Sequence, residues 1–305
     1  MLAFIARRAI SSAFMILLVS LVVFSLAHLS GDPVRVMLGA ETTAEQIAEL
    51  RHALGLDRPL PVQYLDFLSR AIRGNIGRSL YYRQDALSLV LERMPATIEL
   101  GTVSMLFALL VAIPTGILSA LRPHSWIDFV SRLTSIIGQA FPAYWVGIML
   151  IIFFAVRIHW FPVGGRGTLA HVVLPAVTLG LWPMARISRV LRASMIEVLR
   201  QDYVRTARGK GLPEHAVIVR HVLRNALIPV VTVIGLTFGT ILGGTVVTEF
   251  VFTWPGLGRL VLEAITNRDF PLIQAIVLVT STIFVLINFL VDVMTVWLDP
   301  RIRMR

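Results

Sequence analysis

The chain has 305 residues, 56% of them apolar and only 15% charged. A soluble domain carries about a quarter charged residues, so these proportions specify a polytopic membrane protein and exclude disordered, fibrous and disulfide-rich classes. With no cysteine there is no disulfide framework, thiolate nucleophile or cysteine-ligated metal site. The net charge of +10 raises the possibility of a nucleic-acid partner, which the placement of the charges removes.

A spanning helix needs about 20 predominantly apolar residues. The first such stretch, 9–29, follows Arg7 and Arg8. Ser25-Leu26-Ala27 resembles a cleavage site, but the apolar run exceeds the roughly 7–15 residues of a signal peptide and reads as an uncleaved span. In the hydrophilic segment 30–97, Ile47, Leu50 and Leu54 recur at helical spacing. A helix is therefore predicted over 43–54, with Thr42 or Thr43 as N-cap and Gly55 as stop. Pro59 and Pro61 precede a second amphipathic run over 62–72, with Tyr64, Leu65, Leu68 and Ile72 on one face. This pair is either a cap over span ends or a docking surface for an external partner. Further spans are predicted at 98–121, 133–156, 172–190, 229–252 and 271–297. Pro175 and Pro183 interrupt the fourth, which prolines can do in membranes when neighbours satisfy the freed carbonyls.

Six spans put both termini on one side. With the N-terminus inside, Arg7, Arg8, Arg122, Arg132, the basic run from Arg186 to Arg224, and Arg301, Arg303 and Arg305 all face the cytoplasm. The basic residues of 30–97 are balanced by acids and lie in a loop too long to weigh in orientation. The positive charge thus belongs to loops near anionic headgroups, with both termini inside.

The inner segment 191–228 has a defined pattern. Asp202 suits the N-cap of a short helix through Lys210, and Gly211 suits the left-handed residue that ends it. Pro213 fits the first turn of a second helix, on which Ala216, Val217, Val219, Val222 and Leu223 form an apolar side. The alternative is a solvated basic loop that only satisfies the charge rule.

This segment resembles the cytoplasmic loop of ABC importer permeases, whose general pattern is Glu-Ala-Ala-x3-Gly-x9-Ile-x-Leu-Pro. Arg205-Thr206-Ala207 takes the Glu-Ala-Ala place, Gly211 the glycine, and His221-Val222-Leu223-Arg224 the last block. Arg205 departs from the glutamate and Arg224 from the proline, with Pro229 following later. The run Asp202-Tyr-Val-Arg-Thr-Ala-Arg208, with Lys210-Gly-Leu212 and Leu223-Arg-Asn-Ala-Leu-Ile-Pro229, is similar to the peptide-type branch, which imports dipeptides, oligopeptides, glutathione or nickel. Matches extend along the chain: Gly31-Asp32-Pro33, Leu54-Gly-Leu-Asp-Arg-Pro-Leu60, Arg93-Met-Pro-Ala-Thr97, Trp160-Phe-Pro-Val-Gly164, Phe252-Thr-Trp-Pro-Gly-Leu-Gly258, Arg268-Asp-Phe-Pro271 and Asp299-Pro-Arg301.

The resemblance implies an all-α, six-span fold of the type I ABC importer permease, with both termini inside. Residues 1–93 would be the first span and an external helical segment. Residues 94–297 would be a five-helix core with the coupling loop 191–228, and 298–305 a cytoplasmic tail. It further implies a translocation subunit of an importer in the bacterial inner membrane, and the long segment after the first span points to the first of two permeases. The implied partners are a second homologous permease, two ATP-binding-cassette ATPases and an external substrate-binding protein. Asp202, Tyr203, Arg205, Thr206, Ala207, Gly211 and Leu212 are the implied ATPase contacts. Gln139, Thr178, Thr237 and Glu249 are candidates for the pathway. Glu249 would either meet a peptide amino group or snorkel to water, and Asp292, on the face of Asn288, would serve helix packing. Gly235, Gly239, Gly243 and Gly244 permit close packing, within this chain or against the partner permease.

Enzymatic chemistry is not legible. Gly209-Lys210-Gly211 lacks the spacing and following Ser or Thr of a phosphate loop, so ATP hydrolysis is assigned to partner subunits and no cofactor is expected. The seven histidines show no metal-ligand spacing, and there is no Gly-x-Ser-x-Gly. A nickel or metal-chelate importer is the alternative within the family. A proton-coupled secondary transporter would need an intramembrane relay and inverted repeats, and a scaffold would leave the glycine-cornered loop without a role.

Overall fold

The computed structural model describes residues 2–29, 43–53 and 57–298. The readings that fall on Gly31-Asp32-Pro33, Thr42, Gly55, Asp299-Pro-Arg301 and the tail lie outside them. The chain divides into two compact units, 98–254 with 287–305, and 2–97 with 255–286. Each is taken by itself.

The second unit begins with α1 (Leu2–Leu29), whose apolar surface is largely bare at Ile10, Phe14 and Val22, as a lipid-facing helix requires. The short helix α2 (Ala44–Ala53) opens on Thr43, whose hydroxyl accepts from the Gln46 N–H while the Gln46 carboxamide accepts from the Thr43 N–H. Next comes α3 (Leu60–Ile72), with Pro61 in its first turn, where a missing N–H costs nothing. The face that meets α1 carries Tyr64 and Phe67, while Leu65 and Ile72 of the expected face stay exposed: the Tyr64 ring stands edge-on to Phe24 at 5.5 Å and its hydroxyl shares a 2.8 Å hydrogen bond with Ser20. Phe24 and Phe67 join Val90, Leu260, Leu272 and Ala275 in one core. The last three come from α12 (Leu257–Thr266) and α13 (Phe270–Leu298). Polar chemistry closes this unit at its loops. The fully buried Asp269 carboxylate accepts from the Ser79 hydroxyl, from the Tyr81 N–H at 3.1 Å and from the Leu272 N–H at 3.3 Å.

The first unit is built around α7 (Leu169–Leu199), which keeps Pro175 and Pro183 inside it without ending. Its residues Ile187, Leu191 and Met195 are buried with Ala108 and Ala112 of α4 (Ala86–Leu121) and with Ala226 and Val230 of α10 (Arg224–Gly244). Gly235 on α10 lies against α13: an added Cβ there would stand 2.2 Å from Val291 Cγ2. The glycine thus serves packing within this chain, whereas around Gly243 no atom of the described residues lies within 4 Å of an added Cβ.

Among the described residues, five helices are long and apolar enough to cross a membrane, and a bent pair passes the same test when its two helices are taken together. That pair corrects the expectation of one continuous helix over 133–156. Helix α5 (Trp126–Ala140) and helix α6 (Ala143–Leu150), which runs on as a π-helix over Ile151–Arg157, meet at 105°. The cause is local. Phe141 precedes proline and takes the extended conformation (φ −93°, ψ 137°), which the Pro142 ring imposes on its predecessor, and Pro142 itself is extended at ψ 138°. The fifth span differs from expectation too: α10 stops at Gly244, and residues Val246–Val251 form a separate helix, α11.

Candidate functional site: a capped corner between two spans

After α7 ends at Leu199, the chain turns through Arg200 and Gln201 into α8 (Asp202–Gly209). Gln201 occupies the cap position, so Asp202 lies one residue further in than expected, in the first turn, where its charge complements the helix dipole. Val204 and Ala207, three residues apart, are buried in the core that holds Leu191 and Met195. Burial of Val204 alone contributes roughly 1.5–3 kcal/mol. The opposite face is open: Asp202, Arg205 and Thr206 project outward, and Tyr203 stays 44% exposed. Helix α8 is therefore seated by one face and free on the other.

The helix stops as the glycine predicts. Gly211 has φ +76°, and its N–H donates to the Arg208 carbonyl at 2.9 Å. Nothing among the described residues lies within 4 Å of where its Cβ would be, so the requirement at 211 is the backbone angle and not space. Leu212 follows, 41% exposed, and Pro213 precedes a helical turn, α9 (Glu214–Ala216). A two-pronged contact closes the corner: Arg208 Nη2 donates to Glu214 Oε1 at 2.7 Å and Nε to Oε2 at 3.1 Å. The carboxylate beside it raises the Arg208 guanidinium above its ordinary value. Such a fork fixes orientation as well as distance.

Past α9 the chain does not start a new helix but winds as a π-helix over Val217–Leu223 straight into α10. Val217 and Val222 are buried as expected. Val219 is 63% exposed and leaves the predicted apolar side, because a π turn of more than four residues rotates it off the face that α-helical spacing assigns.

The four pathway candidates have separate surroundings. The Gln139 carbonyl accepts from Arg189 Nη2 at 2.6 Å, while its buried Nε2 has no hydrogen-bond partner among the described residues. Thr178 returns its hydroxyl to the Leu174 carbonyl at 2.9 Å, and its methyl lies near Gly147 beside Val251 and Phe252. Thr237 is fully buried, its hydroxyl without a partner among the described residues. Glu249 is 0% exposed. It is therefore buried and does not snorkel.

Sequence reasoning did not anticipate a cavity of about 720 Å³ at the bent pair, walled by Trp126, Val130, Phe141 and Trp145 with Leu181 and Met184 of α7. Hydroxyls in its wall are spent locally: Thr115 donates to the Val111 carbonyl and meets Ser188, and Ser135 donates to the Ser131 carbonyl. The residues that make the bend possible, Phe141 and Pro142, lie in an apolar run and carry no mark that sets them apart from the prolines kept inside helices.

Two family models match the chain. One, described as the binding-protein-dependent transport system inner membrane component, covers residues 112–304, and one for the N-terminal part of such membrane components covers 1–101. Among curated proteins, a di/tripeptide transport system permease of Pseudomonas aeruginosa is 41% identical over 99% of both chains. A dipeptide transport system permease of Alkalihalophilus pseudofirmus is 38% identical over 99% of this chain and 100% of its own length. A glutathione transport system permease of Escherichia coli is 41% identical over 99% of both. Among solved structures, a methionine ABC transporter in an inward-facing conformation is 18% identical, with TM-score 0.57 over 69% of this chain and 96% of that one. An amino acid ABC transporter gives 0.55 at 14% identity, over 68% and 93%. These structures share the fold, that of the membrane subunits of type I ABC importers. The chain belongs to the family of inner membrane components of binding-protein-dependent transport systems.

Proposed function

We propose that this chain is one of two homologous permease subunits of an ABC importer for short peptides. Its cargo is a di- or tripeptide or glutathione, released by an external binding protein and passed inward when two separate ATPase subunits close. The chain itself carries no catalytic site, and the corner from Asp202 to Leu212 is where an ATPase docks. The observation that supports this most is the corner's construction: Val204 and Ala207 anchor it in the span core, Gly211 sets its angle, and Arg208–Glu214 closes it. Asp202, Tyr203, Arg205, Thr206 and Leu212 are then presented on a rigid support, and Ala207 contributes by seating the helix. A rigid, half-buried helix passes displacement on to the spans, which a solvated loop would not. The names of the relatives support the cargo class. Gln139, Thr178, Thr237 and Glu249 are assigned to the walls of the route, with Glu249 reached only after rearrangement.

The test is uptake by proteoliposomes holding the complete complex and supplied with ATP, its binding protein and one labelled cargo at a time: a dipeptide, a tripeptide, glutathione or Ni²⁺. ATP-dependent accumulation of a peptide supports the reading. Accumulation of Ni²⁺ alone, or uptake driven by a proton gradient without ATP, refutes it.

A further inference from the structure

The first unit holds a buried ion pair that neither the docking corner nor the cargo route uses. Asp128, in the first turn of α5, is 0% exposed. Its Oδ1 accepts from Arg192 Nε at 2.7 Å and from the Ser119 hydroxyl, and its Oδ2 accepts from Arg192 Nη2 at 3.0 Å and from the His124 N–H at 3.1 Å. Arg132 Nε adds a looser contact at 3.5 Å. One carboxylate thus joins the end of α4, the turn before α5, and α7.

The position of Arg192 gives this junction its meaning. It lies seven residues before the end of α7 at Leu199, about two helical turns, and its neighbours Leu191 and Met195 share a core with Val204 and Ala207 of α8. At the other end, α5 leads into the 105° bend and walls the cavity. A buried ion pair is a poor source of net stability, because desolvation offsets most of the attraction. What the two-pronged geometry supplies, with Asp128 fully buried and Arg192 24% exposed, is a fixed register between helices.

We propose that Asp128 and Arg192 are positioning residues: through their fork, displacement of the docking corner reaches α5 and the bent helix pair, so that ATPase closure moves the cavity wall. The proposal rests on the reading of 202–212 as the ATPase seat. With the fork intact, α7 and α5 move as one body. Without its second prong, the start of α5 loses its fixed register on α7, while Arg189 and Gln139, 2.6 Å apart, still join the two helices further along.

The experiment measures peptide uptake and ATP hydrolysis together in proteoliposomes holding the complete complex, for wild type, Arg192→Lys, Asp128→Asn and Gly211→Pro. Arg192→Lys keeps the charge beside the carboxylate and removes the fork. It should leave ATPase co-purification intact and hydrolysis within about twofold, while cargo moved per ATP falls about tenfold. Asp128→Asn should do the same wherever it folds. Unchanged cargo per ATP in Arg192→Lys overturns the proposal. So does a parallel fall of uptake and hydrolysis, or loss of folded protein in both variants, since the pair would then serve the fold alone. Gly211→Pro separates the two readings. If it uncouples and Arg192→Lys does not, only the link through the fork fails. If it leaves coupling intact, the docking reading fails and the link with it.

Discussion

Replacing Gly235 by alanine tests the packing of α10 on α13. The added methyl would stand 2.2 Å from Val291 Cγ2 and 2.8 Å from Cγ1, well inside the 3.4–4 Å of ordinary contact. Overpacking of this kind costs about 1–3 kcal/mol, and about 1 kcal/mol returns because alanine is the better helix former. Gly235→Ala should therefore lose about 0–2 kcal/mol. Val291→Ala removes both clashing atoms and, at roughly 0.8 kcal/mol per buried methyl, loses about 1–2 kcal/mol by itself. Together the two changes relieve most of each other's cost, since only Val291 Cβ, at 3.1 Å, then stands inside ordinary contact distance. The double variant should be more stable than the sum of the singles by about 2 kcal/mol. Reversible unfolding in mixed detergent micelles, followed by circular dichroism for all four proteins, gives this coupling directly. Additivity within about 0.5 kcal/mol would mean that the helices do not meet there, and Gly235 would return to the partner-permease alternative.

Two further outcomes follow from the loops of the second unit. Asp269→Asn removes the charge from a buried carboxylate that holds Ser79, Tyr81 and Leu272. It should lose about 1–3 kcal/mol in the same unfolding assay, and an unchanged midpoint would contradict the assigned role. The Tyr82 phenol is pushed up to about 12, first by burial and then by its hydrogen bond to Glu263. Its contribution to stability is whole below pH 10 and is lost as pH rises through 12. Ultraviolet titration should show a tyrosinate step near 12 that Tyr82→Phe removes, and a step that survives in the variant would refute the assignment.

The spans were legible because uninterrupted apolar runs leave a chain few alternatives in a membrane. The corner was legible because Gly211 and Pro213 act through their own backbones. The 105° bend was not, since the chain carries prolines of both kinds: Pro175, Pro183 and Pro229 sit inside helices and Pro142 ends one. Nothing local separates Phe141-Pro142 from the others. The two π-helical stretches hide likewise, since a wider turn leaves no composition mark. Asp128 was not singled out: its N–H is capped by Ser125, but its role comes from a pairing with Arg192 across 64 residues that no local pattern marks. Glu249 was misread for a related reason: its full burial depends on distant neighbours that an apolar run does not disclose.

The central claim is that the free face of α8 and the glycine corner is where an ATPase subunit seats. The absence of any native cysteine makes the direct measurement clean. Single cysteines at Arg205 and Leu212, and at the exposed Leu65 of α3 as control, would be tested for short-range cross-linking within the complete complex. The account predicts cross-links to the ATPase subunit from 205 and 212, changing in yield with ATP, and none from 65. No ATPase cross-link from either corner position, or one from 65, would contradict it.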